Sequence, residues 1–470
     1  MSTPSDERKR QLLRELPAVN ELLALEPLAR AQEEAGRALT VGAIRAALDR
    51  VRDAIATGER DEPPSPGELA AMVLKAISAT ERPACRHVIN ATGVIIHTGL
   101  GRAPLPEAAL HAIAQEARGY CLLETVRETG RRGQRDETTG RLLCELTGAE
   151  AATVVNNNAA ATLLCLEALA KGRQVIVSRG QLVEIGGSFR IPDIMAQSGA
   201  ILREVGTTNK TRIADYEAAV CDETALLLRV HASNFKMVGF TEQASLPELI
   251  ELGRRRHIPV MDDIGSGALI DLSRHGFPDE PTAPGSVRAG ADLVCASADK
   301  LTGGCQAGFI CGRRDLVAHL RRSPLYRALR VDKVTLIALE ATLRLYLDPE
   351  TLLNANPTLR MIAEPLEACA RRASRIARAI RQAAPKADVV ISGARAQIGS
   401  GSVPGESLPT KVVAVRVSGL SADELARRLR LGEPPILTRI RDDRVLIDAK
   451  TVLYGEAAMI GQAFQRIAAS

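Results

Sequence analysis

The sequence predicts an α/β fold built on a mostly parallel sheet, with a helical module before it and a smaller α/β domain after it. Three observations predict this. Short apolar runs alternate with amphipathic stretches from about residue 88: TVVNN before AAATLLCLEALA, then QVIVS, AILREVG, ALLLRVHAS before LPELIELGRRR, PVMDD and DLVCAS. Such alternation implies parallel strands joined by helices packed on both faces. Residues 1–80 instead carry apolar residues at three- and four-residue spacing, without strand-like runs. From about Ala387 the pattern changes again to VVIS, VVAVRVS and RVLIDA around the helical SADELARRLRL.

These patterns divide the 470 residues into a helical N-terminal module at 1–80, a large domain at 81–350, and a linking helix with a small α/β domain at 351–470. Within the module, LLRELPAVNELLAL and ALTVGAIRAALDRVRDAIA read as helices, and the proline-bearing GERDEPPSPGE separates them from ELAAMVLKAISA. A long helix is expected from Val331, with helix continuing to about Arg381.

Composition excludes several classes. The apolar fraction of 46% is that of a globular protein, and no run is long enough to span a membrane. The N-terminal MSTPSDERKRQLLREL lacks the apolar core of a signal peptide, so a cytoplasmic location is expected. The nine cysteines include no C-x-x-C pair, which argues for reduced, mostly buried thiols rather than a zinc site. A net charge of +5 permits an RNA partner without specifying one, and the aromatic fraction of 2% offers no evident base-stacking platform.

Three features bear chemistry, each at the carboxyl end of an apolar run, where open α/β sheets bind their ligands. Asn156-Asn157-Asn158-Ala159 stands between a strand and a helix, where free backbone N–H groups and small side chains suit a phosphate. Asp262-Asp263 ends PVMDD before Ile264-Gly265-Ser266-Gly267; a buried carboxylate there needs a cationic partner, such as a protonated pyridine nitrogen. Lys300 follows the run ending Ser297-Ala298-Asp299 and precedes Leu-Thr-Gly-Gly, a setting that disfavours ammonium and leaves an amine able to form a Schiff base. Each alone reads as a capped turn or a solvated charge. Together and in this order they are similar to the fold-type I, aspartate-aminotransferase-like enzymes that use pyridoxal 5'-phosphate (PLP). The glycines after Lys300 are expected to allow close backbone approach to that cofactor.

Longer motifs narrow the resemblance: INATGVIIHTGLGR at 89–102, RGQR at 132–135, VEIGGSFRIP at 183–192, DKLTGG at 299–304, RALRVDK at 327–333, QIGSGS at 397–402 and LPT at 408–410. With the opening LLRELPAVNELL they resemble, end to end, the bacterial selenocysteine synthases, or L-seryl-tRNA(Sec) selenium transferases. The resemblance implies PLP-dependent β-elimination of water from seryl-tRNA(Sec) to a dehydroalanyl intermediate, then selenium addition from selenophosphate. It implies cofactor binding by Lys300, Asp263, Asn157, Asn158, Ala159, Ser297 and Ser266, and catalysis by Lys300 with Asp299 beside it. It implies anion and substrate handling by Arg102, Arg135, Arg327 and Arg330, of which Arg327 and Arg330 would share a helix face. It also implies tRNA binding by the 1–80 module and a homo-oligomer, a decamer of five dimers. Two positions depart from the family pattern: Gly99 stands where Asn is usual, and Cys305 where Pro is usual.

The tRNA assignment rests on the resemblance alone, because residues 1–62 hold 10 Lys and Arg against 12 Asp and Glu. Arg371, Arg375 and Arg378 form a basic helix face that reads equally as a solvated one. The alternative activity is a small-molecule PLP lyase or transferase acting on free amino acids, for which the helical module has no evident use. A non-catalytic RNA-binding scaffold is argued against by the intact lysine, aspartate and arginine set.

Overall fold

The computed structural model describes residues 4–81, 83–185, 189–400 and 402–469. Gly186, Gly187, Ser188 and Gly401 of the quoted motifs lie outside the described residues. The chain forms two compact units, 1–87 and 88–470.

The first unit is helical, with helices Pro4–Arg14, Val19–Leu23, Glu26–Ala35, Arg37–Thr57 and Pro66–Glu81. In the longest helix Ile44, Ala47, Leu48, Val51 and Ile55 recur on one face and are buried, meeting Leu22, Leu28, Leu69 and Val73. The helix ends at Gly58, whose left-handed backbone caps it. Ser65 and Glu68 start the last helix reciprocally: each backbone N–H donates to the other's side chain, at 2.7 and 3.2 Å.

The second unit is organised by a seven-stranded sheet. Its strands are β1 (Ala151–Val155), β2 (Gln174–Ser178), β3 (Ile201–Val205), β4 (Thr224–Val230), β5 (Val260–Gly265), β6 (Leu293–Ser297) and β7 (Gly308–Gly312). The spatial order is β1-β7-β6-β5-β4-β2-β3. β7 runs antiparallel to both its neighbours, and the other pairs are parallel. The alternation of runs and helices anticipated all the strands but β7. Alternate residues of one strand enter opposite cores: Val175 and Val177 lie on one side with Leu226, Leu228 and Met261, and Ile176 on the other with Leu227 and Val260. Burial on both faces is why these strands read as unbroken apolar runs.

The expected long helix is instead a series. Asp332, not Val331, begins it, capping Lys333–Leu345 by accepting from the N–H groups of Val334 and Thr335. Asp348 and Asn356 cap two short helices, Pro349–Ala355 and Pro357–Ala363, before Leu366–Ala383. The first two breaks fall at residues whose side chains satisfy the next helix's free N–H groups, and the third falls at Pro365, which offers no side-chain cap. In Leu366–Ala383, Cys369, Ala373, Ile376 and Ile380 are buried while Arg371, Arg375 and Arg378 are exposed, so the basic face is an outer face.

A four-stranded sheet follows: β8 (Asp388–Gly399), β9 (Ser402–Arg416), β10 (Arg439–Arg441) and β11 (Arg444–Asp448), in the order β8-β9-β11-β10. Its far end reaches the large sheet's ligand edge. The N–H groups of Ile95 and Ile96 donate to the carbonyls of Gln397 and Ile398, at 2.9 and 2.7 Å. Gly399 is required there, because a Cβ would lie 2.4 Å from Val94. This seam places segment 97–102 and Ser400 beside the lysine loop.

Candidate active site

Three strand ends build the site. β1 leads to the helix Asn158–Ala170, whose N-cap Asn157 accepts from the Ala160 N–H at 2.8 Å. The helix dipole and the free N–H groups of its first turn are aimed at the strand ends. β5 delivers Asp263, which is 3% exposed. It accepts from Asn158 Nδ2 (2.8 Å), Thr162 Oγ1 (2.9 Å) and the Gly265 N–H (3.1 Å). Burial still raises its carboxyl above the usual range, so the carboxylate favours a nearby cation. Asp262 points the other way, to Ser286 Oγ at 2.6 Å and Arg229 at 3.2 Å. The side-chain alternation of the strand thus settles which aspartate faces the site.

β6 delivers Lys300, which is 6% exposed. Burial, and then the positive charge of Arg102, push its ammonium below the usual lysine range, against Asp299, Asp263 and Glu280, which pull it up. The loop after it is pinned. Thr302 Oγ1 donates to the Gly267 carbonyl at 2.5 Å, and Asn356 Nδ2 and Tyr346 Oη donate to the Thr302 carbonyl at 3.0 and 2.8 Å. Gly303 has φ +67°, and a Cβ there would lie 2.3 Å from Asn356. Gly303 therefore admits Asn356 beneath the lysine, a neighbour the sequence reading did not anticipate.

Arg102 closes the site from the seam. Its Nη1 donates to Asp299 Oδ2 at 2.6 Å and its Nε to Ser400 Oγ at 3.2 Å. Its backbone is held at φ +64° by an N–H bond to the His97 carbonyl. Asp299 also accepts from Ser297 Oγ at 2.7 Å, so one carboxylate ties strand end to arginine.

A cavity of about 280 Å³ joins these groups, lined by Arg102, Asn157, Asn158, Ala159, Asp263, Ser297 and Lys300. Val183, Val230, His231, Ser233, Gly265 and Gln306 complete its walls. The sequence reading missed these and Thr162; the four-residue step from Asn158 to Thr162 was the one available signal, since it puts both on one helix face. Ser266 does not line the cavity: it is buried, and its carbonyl accepts from the Leu301 N–H, bracing the lysine loop.

Three of the four expected anion-handling arginines are also elsewhere. Arg135 donates to Glu124 Oε1 through Nε and Nη2, at 3.0 and 2.5 Å, and Arg330 donates to the same oxygen at 3.3 Å. Arg132 holds Oε2 at 2.9 and 2.6 Å. Arg327 lies in the helix Pro324–Ala328, exposed, and Arg330 lies beyond that helix's end, so the two share no helix face. Cys305 donates to the Thr335 carbonyl at 3.3 Å, and burial pushes its thiol up to about 12, which leaves it no thiolate character at neutral pH.

The residues fit PLP. The cavity's lining residues carry three buried polar atoms with no hydrogen-bond partner, Asn158 Oδ1, His231 Nε2 and Ser233 Oγ. It also brings a helix N-terminus, a buried carboxylate and a desolvated amine to one space. No group of side chains suited to a metal ion occurs among the described residues.

The family model described as L-seryl-tRNA selenium transferase matches residues 88–453, and one described as Selenocysteine synthase N terminal matches residues 13–52. The L-seryl-tRNA(Sec) selenium transferase of Geobacter sulfurreducens is 48% identical over 96% of this chain and 98% of its own. That of Alkaliphilus metalliredigens is 46% identical over 98% of this chain and 99% of its own. Among solved structures, D-glucosaminate-6-phosphate ammonia-lyase shares the fold with a TM-score of 0.56 at 21% identity, covering 82% of this chain and 96% of that one. With matches along nearly its whole length, the chain belongs to the L-seryl-tRNA selenium transferase family.

Proposed function

We propose that this protein converts seryl-tRNA(Sec) to selenocysteinyl-tRNA(Sec) in the cytoplasm, by PLP-dependent elimination of water and addition of selenium from selenophosphate. The observation that carries the chemistry is the meeting of Lys300 and Asp263 on one cavity at a helix N-terminus. The printed names of relatives nearly half identical along their whole length support the substrate.

When bound, PLP supplies an aldehyde and a ring that accepts electron density from the substrate's α-carbon. Asn157, Asn158 and Ala159 would hold its phosphate, Asp263 its ring nitrogen and Lys300 its aldehyde. The chain's own residues then have distinct tasks. Lys300, disfavoured as ammonium, takes the α-proton at its Nζ and returns protons to the departing hydroxyl. Asp263, fixed by Asn158 and Thr162, keeps a negative charge where a cation is needed. Arg102 presents a guanidinium to the anionic selenium donor, and Asp299 orients it. In the homo-oligomer that the resemblance implies, Arg135, Arg327 and Arg330 are assigned to a site completed by another copy. The 1–80 module is assigned to tRNA binding.

A single-turnover assay tests this. The tRNA(Sec) is loaded with labelled serine, incubated with protein and selenophosphate, then stripped, and the amino acid is identified. Selenocysteine is the expected product. Serine recovered unchanged from cofactor-loaded protein overturns the reading and makes free amino acids the substrates to examine.

A further inference from the structure

A second cavity, of about 180 Å³, adjoins the first and shares the wall formed by Val230 and His231. It contains no part of the lysine–aspartate machinery. Phe235 and Met237 reach it from the segment after β4, Phe277 from the segment after β5, and Val403 from β9. The chain has only 6 phenylalanines, so two at one cavity is a concentration, and Phe235 is left 37% exposed there.

The cavity also presents an unmet acceptor. Glu280 is 2% exposed in its side chain, and its Oε1 has no hydrogen-bond partner. His231 Nε2 stands 3.6 Å from the other oxygen, beyond hydrogen-bond reach. A buried carboxylate oxygen without a donor is costly, so an occupant that brings an N–H is favoured.

The proposed substrate makes a demand that a free amino acid does not. Its carboxyl carbon is esterified to a ribose, so a nucleoside extends from the reacting serine into whatever space adjoins the cofactor cavity. Aromatic and thioether walls with one buried acceptor suit a purine bearing an exocyclic amine. We propose that this cavity receives the 3′-terminal adenosine of the aminoacyl-tRNA, its base against Phe235 and its amine donating to Glu280. The proposal rests on the reading of the substrate as a seryl-tRNA.

The test uses full-length, cofactor-loaded protein and two trinucleotides, CCA and CCU; the terminal uracil lacks the exocyclic amine. Binding is read by competition against a labelled CCA. CCA should bind about tenfold tighter than CCU. Phe235→Ala should lose about tenfold in CCA affinity, and Phe235→Tyr should restore it, with cofactor absorbance unchanged in both. Equal binding of CCA and CCU, or full CCA affinity in Phe235→Ala, overturns the assignment. If the single-turnover assay yields selenocysteine while CCA and CCU bind equally, only the cavity assignment falls. If serine is returned unchanged, the reading of the substrate falls whatever the trinucleotides do.

Discussion

Lys300 owes its reactivity to surroundings of opposite effect. Burial and Arg102 disfavour its charge, and Asp299, Asp263 and Glu280 favour it. Arg102→Ala removes a positive neighbour and leaves Asp299 without its guanidinium, and both changes favour the ammonium form. The pH midpoint for PLP capture by the cofactor-free protein, which needs the neutral amine, should therefore rise by about one unit. Stopped-flow capture rates from pH 6 to 10 measure it, and an unmoved midpoint would mean that burial alone sets the amine. Asp263 shows the same logic reversed: three donors hold a carboxylate that burial opposes, so its charge is ready for a cationic ring nitrogen.

At the scale of elements, the chain uses side chains to join segments distant in sequence. Glu124 gathers Arg132, Arg135 and Arg330 and so ties segment 124–135 to the turn after Pro324–Ala328. The guanidinium groups of Arg135 and Arg132 hold its carboxyl down to about 2. A depressed carboxyl stabilises the fold above the unfolded value, about 4.3, and that contribution is lost as pH falls through about 2. Glu124→Gln should melt about 2–4 °C lower at pH 7. The gap should close as pH drops from about 4.5 to 2. Calorimetry across that range checks it; a gap that persists at pH 2 would show that packing, not charge, is responsible. Three guanidinium groups on one carboxylate also leave local positive charge, which accords with placing Arg135 and Arg330 near an anion completed by another copy.

For the molecule as a whole, the two units carry separate cores: Ile44, Leu48 and Val51 in the first, and the double-faced sheet in the second. A chain lacking residues 1–87 should thus retain PLP absorbance and its lysine attachment. It should bind tRNA(Sec) at least about tenfold more weakly, because the proposed function assigns tRNA recognition to the helical unit. Filter binding of tRNA(Sec) and tRNA(Ser) to both proteins decides this. Unchanged selectivity would move recognition to residues 88–470, where Arg371, Arg375 and Arg378 offer an exposed basic face.

The sequence by itself determined the parallel strands, the order of the Asn157–Ala159 turn, Asp263 and Lys300 at strand ends, and the family. Each of these is a local pattern: apolar runs with both faces buried, a residue at a strand end, or a contiguous motif. Tertiary structure decided the rest. The resemblance named Asp263 over Asp262, but the physical reason, the pleat of β5 that turns Asp262 to Ser286 and Arg229, is tertiary. The role of Gly303 needed Asn356, more than fifty residues away in the chain. Arg102 and Ser400 meet only because β8 pairs with segment 94–96. The grip of Glu124 on Arg330 was invisible, because no spacing rule relates residues so far apart. Local patterns report which chemistry a chain carries; only the packing of distant segments fixes which charges face one another, and therefore which are free to act.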